Sequence, residues 1–388
     1  MRRSRQVRIV VVGDCEADYL AKCHEAFRTG LRRLLNARMF GRGYEAYRAD
    51  VTSYSEAIEA VCPGGADVVI ASFDFDSVQA TFPYKGLAEV KARRGVVLGD
   101  YWTITNNYRD RFLGTLQQNG VSFVLSYFPR PLELYRDAGT DVDFYLMLPS
   151  FDPAIFNDWQ MEKEYDVGFL AAGTAAYSPV YPERFLIHRK LRGQGGLRYL
   201  WAEHPGWQRH PADHPLVGQG FSKSINSCHM FVTTAGVYRN PHAKYVEILA
   251  SRSLLLADEP EAAQDLGLKE GENYVRISAG DVLDKVHYYL NNPAERERIA
   301  KAGYLMAMER HTCYARAADF LSAVEGPGVG ALASGTSGRE SPSAGRRHRY
   351  RQGMEFVRLR AGLARFAERA QRAIARSGKD GSLGSGKR

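Results

Sequence analysis

The sequence lacks any apolar run long enough to cross a bilayer, and it uses cysteine sparingly. A transmembrane helix needs about 20 consecutive apolar residues, and the opening residues MRRSR lead into a strand-like run too short for a signal-peptide core. The five cysteines include no pair at C-x-x-C spacing, which disfavours a disulfide framework or a zinc site. We therefore expect a cytoplasmic protein with reduced thiols.

Basic charge is concentrated in one terminal segment. Residues 346–388 hold thirteen Lys/Arg against three Asp/Glu, a net of +10, so the preceding 345 residues carry −2 of the total of +8. The body is nearly neutral, and the tail lacks aromatic residues interleaved along its basic stripe. Nucleic-acid binding is therefore not expected.

Two blocks of alternating strands and helices predict an α/β protein. The first block contains four near-continuous apolar runs that are typical of strands buried on both faces, at residues 7–13, 67–73, 95–99 and 121–125. The second block starts with YDVGFLAAG at residues 165–173, followed by a helix that begins at Pro182. Its further strands are predicted at 230–234 and 254–257, on either side of a helix at 243–250. The pattern predicts two Rossmann-like, doubly wound domains facing a cleft, at residues 1–155 and 164–324.

The chain beyond the second block is predicted to form a linker, a helix and a disordered end. Residues 325–345 are rich in Gly, Ser and Ala, residues 346–376 read as a basic amphipathic helix, and residues 377–388 as a disordered tail. The helix carries one apolar stripe, formed by Phe356, Leu359, Leu363, Phe366 and Ile374. A basic helix of this kind favours peripheral attachment to an anionic membrane surface. Docking on the protein body and a disordered or protein-binding tail are the alternatives.

A motif in the second block carries the functional interpretation. Residues 240–258, NPHAKYVEILASRSLLLAD, place Lys244 and Glu247 on a helix that runs into an apolar strand ending in Asp258. With YDVGFLAAG and YPERFLIHRKL upstream of it, this stretch resembles the CgeB-like glycosyltransferases, a branch of the two-Rossmann-domain GT-B enzymes. The resemblance implies transfer of a sugar from a nucleotide-sugar donor, held by the second domain, to an unidentified acceptor. It implies no cofactor. A non-catalytic protein that binds a nucleotide sugar or a carbohydrate is the alternative.

The donor residues follow from the chemistry of a nucleotide sugar. A diphosphate is held by cations and by N–H groups at a helix start, and ribose hydroxyls donate to a carboxylate. We therefore predict Glu247 at the ribose, Lys244 at the diphosphate, and the Gly173-Thr174 turn with Arg184 as the second phosphate contact. Related retaining enzymes carry a sugar-contacting Glu eight positions before the ribose Glu. Arg239 occupies that position here, which leaves the stereochemical outcome open.

The catalytic base is sought at strand ends of the first domain, where a side chain can enter the cleft. Asp14 and Asp100 each follow a glycine at the end of a predicted strand, and we predict the base among them. Asp18, His24, Asp74 and Asp76 remain alternatives, as do helix-capping roles for all of these acids.

No metal site is predicted. The D-x-D string at residues 74–76 lies in the first domain, whereas the resemblance places the donor in the second, so we expect metal-independent transfer. His204, His210 and His214 occur in a Pro-containing segment at spacings that suit no helix. This pattern favours a solvated surface loop over a metal cluster.

Overall fold

A computed structural model of the chain describes residues 6–15, 22–72, 74–75, 80–98, 108–129, 140–172, 180–205, 210–211 and 213–325. The chain falls into two compact units, residues 1–317 and 318–388, and both large sheets lie in the first unit. The predicted linker from residue 326 onward, the 346–376 helix and the 377–388 tail lie outside the described residues.

The first sheet has six parallel strands. Their bounds are β1 Ile9–Val12, β2 Arg38–Phe40, β3 Val68–Ala71, β6 Arg93–Leu98, β7 Phe123–Ser126 and β8 Asp143–Leu146. They lie in the order β2-β1-β3-β6-β7-β8. The strand order therefore reverses between β1 and β3: β2 lies on one side of β1, and β3 and the later strands lie on the other, all of them parallel. A separate antiparallel pair is formed by β4, Asp74–Phe75, and β5, Ala80–Thr81.

The second sheet has five parallel strands. Their bounds are β9 Tyr165–Ala171, β10 Tyr199–Glu203, β11 Cys228–Thr233, β12 Leu254–Ala257 and β13 Val275–Arg276. The order β10-β9-β11-β12-β13 reverses between β9 and β11. Two parallel sheets with helical crossovers confirm the predicted pair of Rossmann-like domains.

Helices connect the strands. Their bounds are α1 Lys22–Leu35, α2 Tyr54–Val61, α3 Tyr108–Gln118, α4 Pro182–Arg192, α5 Gln219–Asn226, α6 Ala243–Ala250, α7 Val282–Asn291, α8 Pro293–Arg310 and α9 Cys313–Glu325. Proline stands at the first turn of α4 and of α8, where its missing N–H leaves no helical hydrogen bond unmade. Ser53 and Glu56 form a reciprocal capping box at the start of α2.

Each sheet has its own apolar core. The first core includes Val10, Val12, Val69 and Val124, none of them exposed. The second is centred on β9, β11 and β12. At Gly168 in β9, a Cβ atom would lie 2.5 Å from the Phe231 ring, so the aromatic ring on β11 requires glycine there.

A connecting segment and the start of α9 join the two sheets. The Phe151 N–H donates to the His311 carbonyl (3.1 Å), and the Cys313 N–H donates to the Phe151 carbonyl (2.8 Å). At Gly30 in α1, a Cβ atom would lie 2.1 Å from the Cys313 carbonyl oxygen, so α1 touches the backbone of α9 directly. These contacts fix α1 and the 150–156 segment beside the second domain. In the part of the chain that the structure describes, no helix is both long and apolar enough to cross a membrane.

Candidate functional site

Arg184 lies across the strand-order reversal of the second sheet. Its Nη1 donates to the Ala172 carbonyl after β9 (3.4 Å), and its Nη2 donates to the Thr234 carbonyl after β11 (3.1 Å). The guanidinium stacks 3.2 Å from the centroid of the Tyr181 ring, and the residue is 5% exposed. Ligands of doubly wound sheets bind at this reversal, outside the carboxyl ends of the strands. The structure thus places a buried cation at the expected ligand position.

Lys244 and Glu247 lie one helical turn apart on α6. Lys244 is partly buried, and its Nζ donates to the Leu170 carbonyl near the end of β9 (2.9 Å). Burial, reinforced by repulsion from Arg184, lowers the pKa of the Lys244 ammonium to about 7. Burial also raises the pKa of the Glu247 carboxyl to about 7, against the attraction of Lys244. The predicted diphosphate and ribose residues are therefore neighbours in a largely desolvated site.

His242, which sequence reasoning did not select, stands at the N-terminal boundary of α6. Its ring meets Tyr181 at 6.2 Å and Phe128 of the first domain at 6.4 Å between centroids. Burial, with repulsion from Arg184 and Lys244, lowers the pKa of the imidazole to about 3, so the ring is neutral. Its Nε2 is buried and has no hydrogen-bond partner among the described residues. A neutral imidazole of this kind can donate a hydrogen bond to a bound anion.

Asp258, the acid that ends the apolar strand of the motif, has a supporting position. Its carboxylate accepts hydrogen bonds from the Tyr245 hydroxyl (2.5 Å) and from the Ala235 N–H (2.7 Å). Burial raises the pKa of this carboxyl, while both hydrogen bonds oppose the rise. Asp258 thus links α6 to the loop after β11 and stabilises the backbone beside the site.

Two hollows meet at Glu247. The larger, which we call the Ser150 cavity, has a volume of about 170 Å³ and is lined by residues of α1, the 150–156 segment and Glu247. The smaller, of about 40 Å³, is lined by Lys244, Glu247 and apolar side chains that include Phe156 and Phe221. Glu247 therefore separates a hollow shared by the two domains from one formed mainly by the second domain.

The Arg239 side chain makes its hydrogen bonds away from Arg184, Lys244 and Glu247. It has a left-handed backbone (φ 53°) in the loop between β11 and α6. Its Nε and Nη2 both donate to the Glu259 carbonyl at 3.1 Å, and the side chain is exposed. The structure thus places Arg239 on the rim of the domain that carries Lys244 and Glu247, held by the backbone that follows β12.

Asp14 follows β1 at the corresponding reversal of the first sheet. Its carboxylate accepts from the Arg42 N–H (2.9 Å) and Nε (2.7 Å) and pairs with Nη2 at 2.6 Å. The Asp14 carbonyl accepts from Arg28, whose other nitrogen donates to the Ser72 hydroxyl after β3. Asp14 is therefore held by Arg42 at the ligand-binding edge of its sheet. Asp100, Gly173 and Thr174, also predicted for the site, lie outside the described residues.

The histidines after β10 differ from the predicted solvated loop. His210 is only 8% exposed, and its ring centroid lies 4.7 Å from that of His214. Burial, with repulsion from Lys244 and Arg184, lowers the pKa of His204 to about 4. Spacing could not reveal this, because the burial comes from the fold around the segment. Over the described ranges, no group of three His, Cys, Asp or Glu side chains is arranged to hold a metal ion.

The electrostatics of the site favour an anionic ligand. Neither Arg184 nor Lys244 forms an ion pair with a carboxylate of the described residues; backbone carbonyls hold both. Two cations at the carboxyl edge of one sheet, beside the neutral His242, match the charge and the hydrogen-bonding needs of a phosphate group.

Comparisons with known proteins agree with this geometry. Residues 182–322 match a family model described as "Glycosyl transferase-like". The structure of Anabaena Alr3699/HepE, in complex with UDP and glucose, is similar at a TM-score of 0.51 and 10% identity, over 82% of this chain and 99% of that one. The DNA-modifying enzyme β-glucosyltransferase is similar at 0.51 and 11%, over 81% of this chain and 98% of that one.

A further similarity is partial. TarM matches at a TM-score of 0.45 and 10% identity, over 66% of this chain, which spans about half (54%) of the TarM chain. A comparison with curated protein sequences gives no significant match. At these identities the structural similarities establish the fold, and the match over residues 182–322 supports the predicted glycosyltransferase activity. The two-sheet architecture is thus the GT-B fold, and residues 182–322 within it are similar to a glycosyl transferase-like family.

Proposed function

We propose that the protein transfers a glycosyl group from a nucleoside diphosphate sugar, bound by the second domain, to an acceptor that enters from the first. The observation that carries the proposal is the grouping of two cations, Arg184 and Lys244, next to the buried carboxylate of Glu247. Among the described residues, neither cation pairs with a carboxylate. A nucleotide sugar presents a diphosphate directly beside a ribose diol. The site offers complementary groups in the same order.

Each predicted site residue, together with His242, then has a role in the reaction. Arg184, Lys244 and His242 hold the diphosphate, and Glu247 accepts hydrogen bonds from ribose hydroxyls. The bond between the sugar C1 and the diphosphate oxygen breaks, and a bond from C1 to the acceptor oxygen forms. The diphosphate leaves with the electron pair, and the acceptor hydroxyl gives up its proton. Asp14 and Asp100 are the proposed bases for that proton. Gly173 and Thr174 are the proposed second phosphate contact, and Arg239 the proposed contact on the sugar side.

Uracil is the first base to test in the donor. The Anabaena HepE structure is a complex with UDP, and the β-glucosyltransferase structure was studied with uridine diphosphoglucose. Both share the fold of this chain at a TM-score of 0.51. CgeB-like specificity within the GT-B enzymes is a finer proposal, supported by the Lys244 to Asp258 motif.

Transfer without an essential metal is part of the proposal. Arg184 and Lys244 can offset the negative charge that develops on the leaving diphosphate, a task that a divalent ion performs in metal-dependent enzymes. Release of nucleoside diphosphate should therefore continue at the same rate after treatment with EDTA. A rate that collapses with EDTA and recovers with Mg²⁺ or Mn²⁺ contradicts this part.

Calorimetric titration of UDP, GDP and ADP tests the donor site. The nucleotide that binds wild type should bind Glu247→Gln more weakly by about 1.5–3 kcal/mol, the scale of a hydrogen bond to a charged group. Glu309→Gln is the matched control, because Glu309 is exposed on α8. Equal affinity of wild type and a folded Glu247→Gln variant would remove Glu247 from the donor site. No binding of any nucleoside diphosphate would refute the proposed function.

We also propose that the helix predicted at residues 346–376 attaches the cytoplasmic enzyme to an anionic membrane surface. The support is the charge of residues 346–388, thirteen basic against three acidic residues. The full chain should co-sediment at low salt with vesicles that contain phosphatidylserine, and a chain truncated after Val324 should not. If the full chain stays in the supernatant with these vesicles, membrane attachment is wrong.

A further inference from the structure

The Ser150 cavity contains two polar groups that the described protein leaves unsatisfied. Ser150 is 1% exposed, and its hydroxyl has no hydrogen-bond partner among the described residues. Glu247 is 6% exposed, and its carboxylate has one electrostatic neighbour, Lys244, and no hydrogen-bond donor in the described chain. A buried polar group without a partner destabilises the folded state. Two such groups facing one cavity indicate a ligand that supplies the missing partners.

The other walls of the cavity combine hydrogen-bond acceptors with an apolar surface. Glu25 and Asp152 contribute carboxylates. Arg28 lies 3.6 Å from the Glu25 carboxylate, and Arg33 lies 3.6 Å from that of Asp152. Phe151 and Phe156, both at most 2% exposed, contribute apolar surface. Acceptors beside aromatic side chains suit a sugar ring, because its hydroxyls project from the ring edge while its C–H groups form an apolar face.

The size of the cavity limits the ligand to a single ring. Its volume of about 170 Å³ is roughly half of the lower bound of about 300 Å³ that is usual for sites of drug-sized ligands. A whole nucleotide sugar does not fit, whereas one furanose or pyranose ring does.

We propose that the Ser150 cavity binds one sugar ring of the donor, with Ser150 as a specificity-determining residue. The inference rests on the proposed function, in which Lys244 and Arg184 hold the diphosphate. Glu247 lies three residues after Lys244 on α6 and lines both hollows. A nucleotide sugar has a ring on each side of its diphosphate, the ribose and the transferred sugar. A ring adjoining these cations is one of the two, and both carry hydroxyls that match Ser150 and Glu247.

Titration of UDP and UDP-glucose into Ser150→Ala tests the inference and distinguishes the two rings. The variant should bind UDP-glucose about 2- to 12-fold more weakly than wild type, the loss of one hydrogen bond. An equal loss for UDP assigns the cavity to the ribose, and an unchanged UDP affinity assigns it to the transferred sugar. Ser55→Ala, at an exposed position on α2, is the control and should bind both as wild type does. The melting temperature of Ser150→Ala should not fall, because the hydroxyl supports no described protein group.

Ala26→Leu is a second variant that tests the volume of the cavity. Ala26 lines it from α1 and is 4% exposed, so a leucine there takes up ligand space. We expect a loss of UDP-glucose affinity larger than that of Ser150→Ala. If wild type binds UDP-glucose and neither variant changes its affinity, the inference is overturned while the proposed function stands. If wild type binds neither UDP, GDP, ADP nor UDP-glucose, both fall together.

Discussion

Replacing Glu247 with glutamine should stabilise the folded protein above neutral pH while it weakens donor binding. The carboxyl is 6% exposed and accepts no hydrogen bond from the described residues. Its ionised form is therefore poorly solvated in the folded chain and well solvated in the unfolded chain. Glutamine has nearly the same shape and carries no charge at any pH.

The magnitude follows from the pKa of Glu247. Burial raises this pKa from its ordinary 4.5 to about 7, which corresponds to about 3 kcal/mol at about 1.4 kcal/mol for each pH unit. Between these two values the folded state binds more protons than the unfolded state, so the stability of wild type falls as the pH rises through this window. The full loss is present above about pH 7. Lys244, with a pKa of about 7, is then largely neutral and stabilises the carboxylate little.

Urea unfolding at two pH values measures the effect. Near pH 8, Glu247→Gln should be more stable than wild type by up to about 3 kcal/mol, and near pH 5 by less than about 1 kcal/mol. Glu309→Gln, exposed on α8, should show no such pH-dependent difference. Tryptophan fluorescence can report on the second domain, since Trp201 lies in β10. A Glu247→Gln variant that is less stable than wild type near pH 8 would refute the reasoning and assign Glu247 a structural role.

Three further predictions address the donor site, the base and the fold. Because burial lowers the pKa of Lys244 to about 7, affinity for UDP-glucose should fall by up to about tenfold per pH unit above that value; Lys244→Met should bind weakly at all pH values, and calorimetry should not show this fall in the variant. Asp14→Asn should lower turnover roughly 100-fold with donor affinity intact if Asp14 is the base, and a near-normal rate excludes it. Gly168→Ala should lower the free energy of unfolding by about 1–3 kcal/mol, because its Cβ would meet the Phe231 ring. Gly195→Ala, with open space around its Cβ, is the control, and an equal effect of both substitutions contradicts the packing argument.

The strands that the sequence predicted and those that it missed differ in their place in the sheet. The interior strands β1, β3, β11 and β12 are buried at most or all positions, and their apolar runs predicted them. The strands missed in the two parallel sheets, β2, β8 and β10, all lie at sheet edges, and the short pair β4 and β5 was missed as well. Every residue of β8 and of β10 is only partly buried. Edge strands need no continuous apolar run, so their sequences resemble those of loops.

The site residues divide in a similar way. Lys244 and Glu247 were selected from the motif at residues 240–258 and Arg184 from the helix that begins at Pro182, and their donor-binding roles stay predictions. The structure brings Arg184 and Lys244 to the carboxyl edge of one sheet, with Glu247 one helical turn from Lys244. His242 is two residues before Lys244, and only its position at the start of α6 could have signalled it. Ser150 has no sequence signal at all. Its significance comes from a cavity formed by α1 and α6, which are more than 200 residues apart in the sequence.

The site contains two kinds of polar residue: those whose polar atoms bond to other protein groups, and those whose polar atoms remain available to bind a ligand. Asp258 and Arg184 have protein partners for their polar atoms, so replacing either removes contacts between α4, α6 and the loop after β11 and should disturb the fold. Glu247, Ser150 and His242 Nε2 have no such partners among the described residues, so the folded chain gains nothing from their polarity. A polar group that is buried and unsatisfied lowers stability unless a ligand completes it. Ser150 and Glu247 line one cavity, and Lys244, two residues after His242, lines the adjoining hollow with Glu247. In the proposed function, the rings and the diphosphate of a nucleotide sugar supply the missing partners of all three groups.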